Sequence, residues 1–181
     1  FFGLTILAKP LIILLLTEKW ASAIPIMQLI CLSRLITIIS GININLLYVL
    51  GRSDLALKQQ YFKIAIRILL LIFAIRYGIV MIAAAELIST IIHFFINTYY
   101  PGKMMKYGAK DQIIDIFPIL FSGLIMAIPG FLIVYFTSFS EILKILLTIL
   151  SCVITYYFMI RILKIAEYNM LISRLKSLVK K

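Results

Sequence analysis

Apolar residues run along this chain in long blocks, separated by short clusters of charge, glycine and proline. The blocks fall at 1–16, 22–50, 57–76, 78–100, 115–137 and 141–161. Several reach the ~18–20 residues a helix needs to cross hydrocarbon. The pattern predicts an all-α polytopic membrane bundle of six transmembrane helices. The first block is interrupted by Lys9-Pro10, and the second is long enough to tilt. The third and fourth meet at Arg76-Tyr77-Gly78, and the fifth carries Pro118, Pro129 and Gly130. Beyond them "RILKIAEYNMLISRLKSLVKK" is too polar to span. Its Tyr168, Leu171, Ile172, Leu175, Leu178 and Val179 share one face, apart from Arg174, Lys176, Ser177 and Lys181. Residues 162–181 therefore read as an interfacial amphipathic helix on an anionic leaflet, with a solvated tail as the alternative.

Composition agrees. The 181 residues are 64% hydrophobic and 14% charged, with a mean hydropathy of +1.12. A soluble domain is about half apolar and a quarter charged. The net charge of +11 then belongs to cytoplasmic loops and lipid headgroups, not to nucleic acid. Cys31 and Cys152 lie in apolar runs and read as small buried hydrophobes, and a lone His93 argues against a metal centre. The positive-inside rule orients the chain. Loops 51–57 and 101–114 and the tail hold Arg52, Lys103, Lys106, Lys110 and the terminal cluster, which places the C-terminus in the cytoplasm. Trp20 and Tyr77 then anchor the outer interface. Gly51 is expected to end one helix, Arg52 to hold the turn at the cytoplasmic surface, and Ser53-Asp54 to cap the next helix. The opening Phe1-Phe2-Gly3 lacks both an initiator Met and a charged leader, so the chain is expected to be the C-terminal part of something longer.

Ionisable groups inside such spans cost on the order of 3 kcal/mol each when they face lipid, so they mark an interior. Arg34, Thr37, Gly41 and Asn45 share one helical face, with Tyr48 beside it and Asn43 pointing the other way. Gln60, Lys63 and Arg67 form a second stripe, and Glu86, Thr90, His93 and Asn97 a third. Lys63 also lies near enough to the cytoplasmic end to snorkel. One reading has the stripes hydrogen-bonding each other, with Arg34 or Arg67 paired to Glu86 and the amides joining helices. The other has them line a hydrated cavity with surplus positive charge. Guanidinium groups grip phosphate and carboxylate in a bidentate fork, so that cavity suits an anionic substrate. Arg34, Arg67, Thr37, Asn45, Lys63, Glu86, His93 and Asn97 are the candidate substrate-binding residues. Neither a nucleophile with a base nor a phosphate loop is evident, and Asp111 and Asp115 read as a solvated helix start. An enzyme is not expected, nor a cofactor.

Two stretches, "ILAKPLIILLLTEKWASAIPIMQLICL" and "NINLLYVLGRSDLALK", resemble the Wzx-type polysaccharide flippases of the multidrug/oligosaccharidyl-lipid/polysaccharide exporter superfamily. Ala8, Pro10, Glu18, Lys19, Trp20 and Pro25 fall where that family's motif has them. "FFINTYYPGKMMKYG" and the Pro118-containing span continue the likeness to about residue 125. Lys9 stands where an acidic residue is usual and Thr17 where glycine is usual.

The resemblance implies two six-helix lobes around a central cavity, often with two appended helices, of which this chain supplies the last six of fourteen. Residues 1–114 then form part of the C-terminal lobe, 115–161 the appended pair, and 162–181 the basic cytoplasmic tail. It implies flipping of an undecaprenyl-pyrophosphate-linked oligosaccharide across a bacterial inner membrane for lipopolysaccharide or other surface polysaccharide, by alternating access. Arg34 and Arg67 would meet pyrophosphate or acidic sugars, and Glu86 would balance charge or couple an ion. The implied partners are this lipid-linked substrate, membrane lipids, an N-terminal lobe and the polysaccharide assembly proteins. The alternatives are a multidrug/cation antiporter of the same superfamily and a non-transporting scaffold of polysaccharide assembly. A lipid-sugar polymerase or ligase, the enzymatic option, usually needs a large outer loop.

Overall fold

A computed structural model describes residues 1–163, and all regular structure there is helical. The helices are α1 (Phe2–Leu16), α2 (Ile24–Val49), α3 (Ser53–Ala74), α4 (Ile79–Met105), α5 (Ala109–Phe136) and α6 (Glu141–Ile162). Two 3-10 turns, Glu18–Ala23 and Ile75–Tyr77, precede α2 and α4. Each predicted block is a helix, but the six expected spans are not all long and apolar enough to cross a membrane. Four qualify: Glu18–Val49, α4, α5 and α6. At 15 residues α1 reaches about 22 Å, short of the ~30 Å of hydrocarbon. Helix α3 is too charged, carrying Asp54, Lys58, Lys63 and Arg67. Of the predicted amphipathic helix at 162–181, Ile162 ends α6 and Leu163 caps it, and residues 164–181 lie outside the described residues.

Burial is inverted relative to a water-soluble bundle. Ser33, Ser40, Asn43, Gln59, Ser89, Thr90, Asn97 and Gln112 are buried, while Ile38, Ile42, Phe62, Leu69, Phe73, Ile128 and Leu146 are exposed. Water would penalise that outer surface, whereas lipid would not. Polar interhelical contacts inside and large apolar side chains outside are the arrangement expected of a membrane-embedded bundle.

Hydrogen bonds fix the register of α2, α3 and α4. Ser33 bonds Thr90 at 3.0 Å and Asn97 Nδ2 donates to Ser40 Oγ at 2.7 Å, the same offset of 57 residues each time, so α2 and α4 run parallel. Helix α3 returns between their ends and runs antiparallel to α4, with Gln59 Nε2 donating to the Ile96 carbonyl at 2.5 Å and Arg67 meeting Glu86 at 2.8 Å. A second group forms from α1, α5 and α6, where Gly130 lets Thr148, Cys152 and Ile6 approach the α5 backbone. Helix α1 also packs on α2, and Gln28 Nε2 donates to the Thr5 carbonyl at 3.2 Å and to the Tyr135 hydroxyl at 3.3 Å.

The turn after α2 ends as the sequence predicts but starts α3 differently. Gly51, at φ 68°, donates to the Tyr48 carbonyl, and Arg52 N–H reaches the Leu47 carbonyl. This is a Schellman closure, which glycine makes without steric cost. Ser53 and Asp54 do not cap α3 through their side chains. Asp54 instead accepts from Arg52 Nε and Nη2 at 3.1 and 3.2 Å, stiffening the turn itself.

The next loop is shorter than the 101–114 expected, because Pro101 does not stop α4. The helix continues to Met105, and Lys106 closes it in the left-handed region. Neighbouring helices satisfy the groups a proline frees, so membrane helices tolerate it. The solvated helix start expected around Asp111 and Asp115 has two specific contacts. Asp111 accepts from the Gly108 amide at 3.0 Å and caps α5. Asp115 accepts from the Tyr107 hydroxyl at 2.7 Å, holding that phenol's pKa above its ordinary value.

A candidate cationic cleft between three helices

The polar stripes of α2, α3 and α4 face one another across a cleft of about 180 Å³. That volume is an order of magnitude above the ~10–15 Å³ one water requires, so the cleft has room for water beside its polar side chains. Arg34 and Thr37 enter from α2, Lys63 and Arg67 from α3, and His93 and Asn97 from α4. Thus six of the eight candidate residues line one space. Gly41, Gln60 and Thr90, members of the same stripes, line it too.

The other two stand apart. Glu86 lies outside the lining, and its carboxylate accepts from Arg67 Nη2 at 2.8 Å. Asn45 is exposed, one residue past Ile44, the last α2 residue to line the cleft. The helical stripe continues to Asn45, but the cleft does not. Asn43, on the opposite face, is buried and bonds Gln112 of α5.

Charge in the cleft is unbalanced. Arg34, Lys63 and Arg67 contribute three cations, and Glu86 is the carboxylate paired with one of them. Among the described residues, neither Arg34 nor Lys63 has a hydrogen-bond or ion-pair partner for its side chain. Lys63 is the notable one, because only 5% of its surface is exposed. Snorkelling would have left it exposed at the helix end; it is instead held in the α3–α4 seam. An ammonium so placed costs several kcal/mol unless water or an anion solvates it. Arg67, with its side chain half exposed, keeps guanidinium donors that Glu86 does not occupy.

His93 is positioned rather than free. Its Nε2 lies 3.1 Å from the Lys63 carbonyl and 3.1 Å from Ser89 Oγ. A carbonyl only accepts, so Nε2 carries the proton and ties α4 to the α3 backbone beside Lys63. Asn97 donates to Ser40, while its Oδ1 is buried without a partner.

Sequence reasoning missed the hydroxyls Ser33 and Ser40 and the amide Gln112. Ser33 and Ser40 are seven residues apart on α2, a helical spacing that marks them as one face. Gln112 fell in the segment expected to be loop. Cys31 and Cys152 are both buried, and among the described residues no cluster of His, Cys, Asp and Glu is placed to hold a metal ion.

Comparison of the chain with models of known protein families, with curated proteins and with solved structures finds no match.

Proposed function

We propose that this chain is part of a membrane transporter that moves an anionic, lipid-linked oligosaccharide between leaflets, as the resemblance to Wzx-type flippases implies. The observation that carries the reading is the convergence of Arg34, Lys63 and Arg67 on one polar cleft inside a lipid-facing bundle, with Glu86 the carboxylate beside them. Helix cohesion alone accounts for Ser33–Thr90 and Ser40–Asn97. It does not account for two cations without partners. A pyrophosphate group, or the carboxylates of acidic sugars, supplies the missing negative charge and accepts the guanidinium donors.

On this reading the protein is a transporter rather than an enzyme. It sits in a bacterial inner membrane with the Arg52, Lys103, Lys106 and Lys110 end toward the cytoplasm. Helices α1 and α3 also cross, within a larger assembly that includes a second lobe. A cationic drug would meet like charge in the cleft, which disfavours the antiporter alternative.

The test is genetic. In cells whose surface polysaccharide depends on this protein, Arg34→Ala/Arg67→Ala is expected to abolish the polysaccharide and accumulate lipid-linked repeat units on the cytoplasmic leaflet. Undiminished polysaccharide with normal protein levels would overturn the reading.

A further inference from the structure

The seam between α3 and α4 has two unlike flanks. One is the cationic cleft. The other is an apolar groove of about 750 Å³, floored and walled by Tyr61, Phe62, Phe95, Tyr99 and Tyr100, with Lys58 at one end. Gln59, which bonds the Ile96 carbonyl across the α3–α4 seam, belongs to the lining of the groove.

Position along the helices gives the groove a polarity. Lys58 sits five residues into α3, and Tyr100 five residues before the end of α4, so both lie roughly 8 Å from the helix ends. Ala65 and Ile92, at the far end of the groove, lie about 20 Å deep. The groove therefore begins with an amine and phenols at interfacial depth and continues inward as hydrocarbon, over a distance comparable to one ~15 Å leaflet. Lys58 is exposed and, among the described residues, has no ion-pair or hydrogen-bond partner. It is on the same end of the bundle as Arg52 and Lys103, the basic end.

We propose that this groove binds an anionic glycerophospholipid, its phosphate at Lys58 and the tyrosine hydroxyls, and one acyl chain laid over Phe62 and Phe95. Phenols are suited to the headgroup boundary, and a basic side chain there attracts anionic lipid. The occupant stabilises the most charged of the helices, α3, by covering its apolar flank while the cleft hydrates its polar one.

The experiment is native mass spectrometry of the full chain, released from nanodiscs containing equal amounts of phosphatidylglycerol and phosphatidylcholine. The wild type is expected to retain phosphatidylglycerol about fivefold over phosphatidylcholine, the ratio one interfacial lysine provides. Lys58→Gln is expected to reduce that ratio to about one, and Lys58→Arg to preserve it. Ala65→Phe, which blocks the far end, is expected to lose the bound lipid altogether, while Lys110→Gln, on the same end as Lys58 but outside the groove, leaves the ratio unchanged. Equal retention of the two lipids by the wild type would overturn the proposal. So would a preference that survives Lys58→Gln, or lipid binding that survives Ala65→Phe.

Discussion

Asn43 of α2 and Gln112 of α5 exchange two hydrogen bonds, Asn43 Nδ2 donating to Gln112 Oε1 at 2.9 Å and Gln112 Nε2 donating to Asn43 Oδ1 at 2.7 Å. Both side chains are buried. Replacing Gln112 leaves the Asn43 amide unpaired, and replacing Asn43 leaves Gln112 only its 3.3 Å bond to the Tyr107 carbonyl, at a cost of about 1–3 kcal/mol. Asn43→Leu and Gln112→Leu are each expected to lower the unfolding temperature, and the double variant to be milder than the sum of the two. Additive losses in thermal denaturation would mean that the amides are not coupled.

Arg67 and Glu86 form a partly exposed pair, with side-chain exposures of 52% and 29%. Such a pair contributes at most about 1 kcal/mol to stability. Glu86→Gln should therefore fold normally. It also frees the guanidinium for an incoming anion and removes a competing charge. Pyrophosphate titrated into the purified chain is expected to bind roughly fivefold more tightly to this variant, corresponding to the about 1 kcal/mol between unit charges ~4 Å apart in a water-like dielectric. Weaker binding would identify Glu86 as a direct or structural contributor to the site.

Thr17 closes α1 at φ 72° and ψ 170°, a region that is almost exclusively glycine's and costs other residues on the order of 1–3 kcal/mol. Glycine gives back part of that gain through the entropy of the unfolded chain, about 0.4–1 kcal/mol. Thr17→Gly is expected to raise stability by about 1 kcal/mol, read as a higher melting temperature. An unchanged or lower temperature would mean that the turn relaxes elsewhere.

Gly130 and Gly41 separate packing from propensity. A Cβ at Gly130 would lie 3.0 Å from Thr148 Cγ2 and 3.1 Å from Cys152 Sγ, whereas nothing lies within 4 Å of one at Gly41. Gly130→Ala is expected to cost about 1–3 kcal/mol by pushing α5 from α6. Gly41→Ala is expected to be neutral or to stabilise α2 by up to ~1 kcal/mol. Equal effects in a melting experiment would contradict the α5–α6 packing.

The helices were legible because apolar blocks long enough for a membrane are punctuated by glycine, proline and charge. So was the opposition of Asn43 and Asn45, since helical periodicity alone places them on different faces. Where each face ends was not legible: Asn45 continues the Arg34 stripe, but the cleft stops at Ile44. Pro101-Gly102 reads as a stop, yet α4 runs through it to Met105, and α5 starts at Ala109, ahead of the expected 115, which hid Gln112 as a partner for Asn43. Ser33 and Ser40 carry little signal in sequence, because a small hydroxyl in a membrane helix satisfies itself on its own backbone as readily as on a neighbour. The burial of Lys63 is a property of the α3–α4 seam. The spacing of α3 alone placed it equally well at the headgroups.

The cleft's role rests most directly on the affinity of the purified chain, in lipid nanodiscs, for inorganic pyrophosphate. The wild type is expected to bind it, and Arg34→Ala/Arg67→Ala to bind at least tenfold more weakly, since each charge-assisted bond is worth about 1.5–3 kcal/mol. Lys63→Met is expected to weaken it further. A wild type that does not bind pyrophosphate, or a double variant that binds it as well as the wild type, would contradict the assignment of this cleft to an anionic substrate.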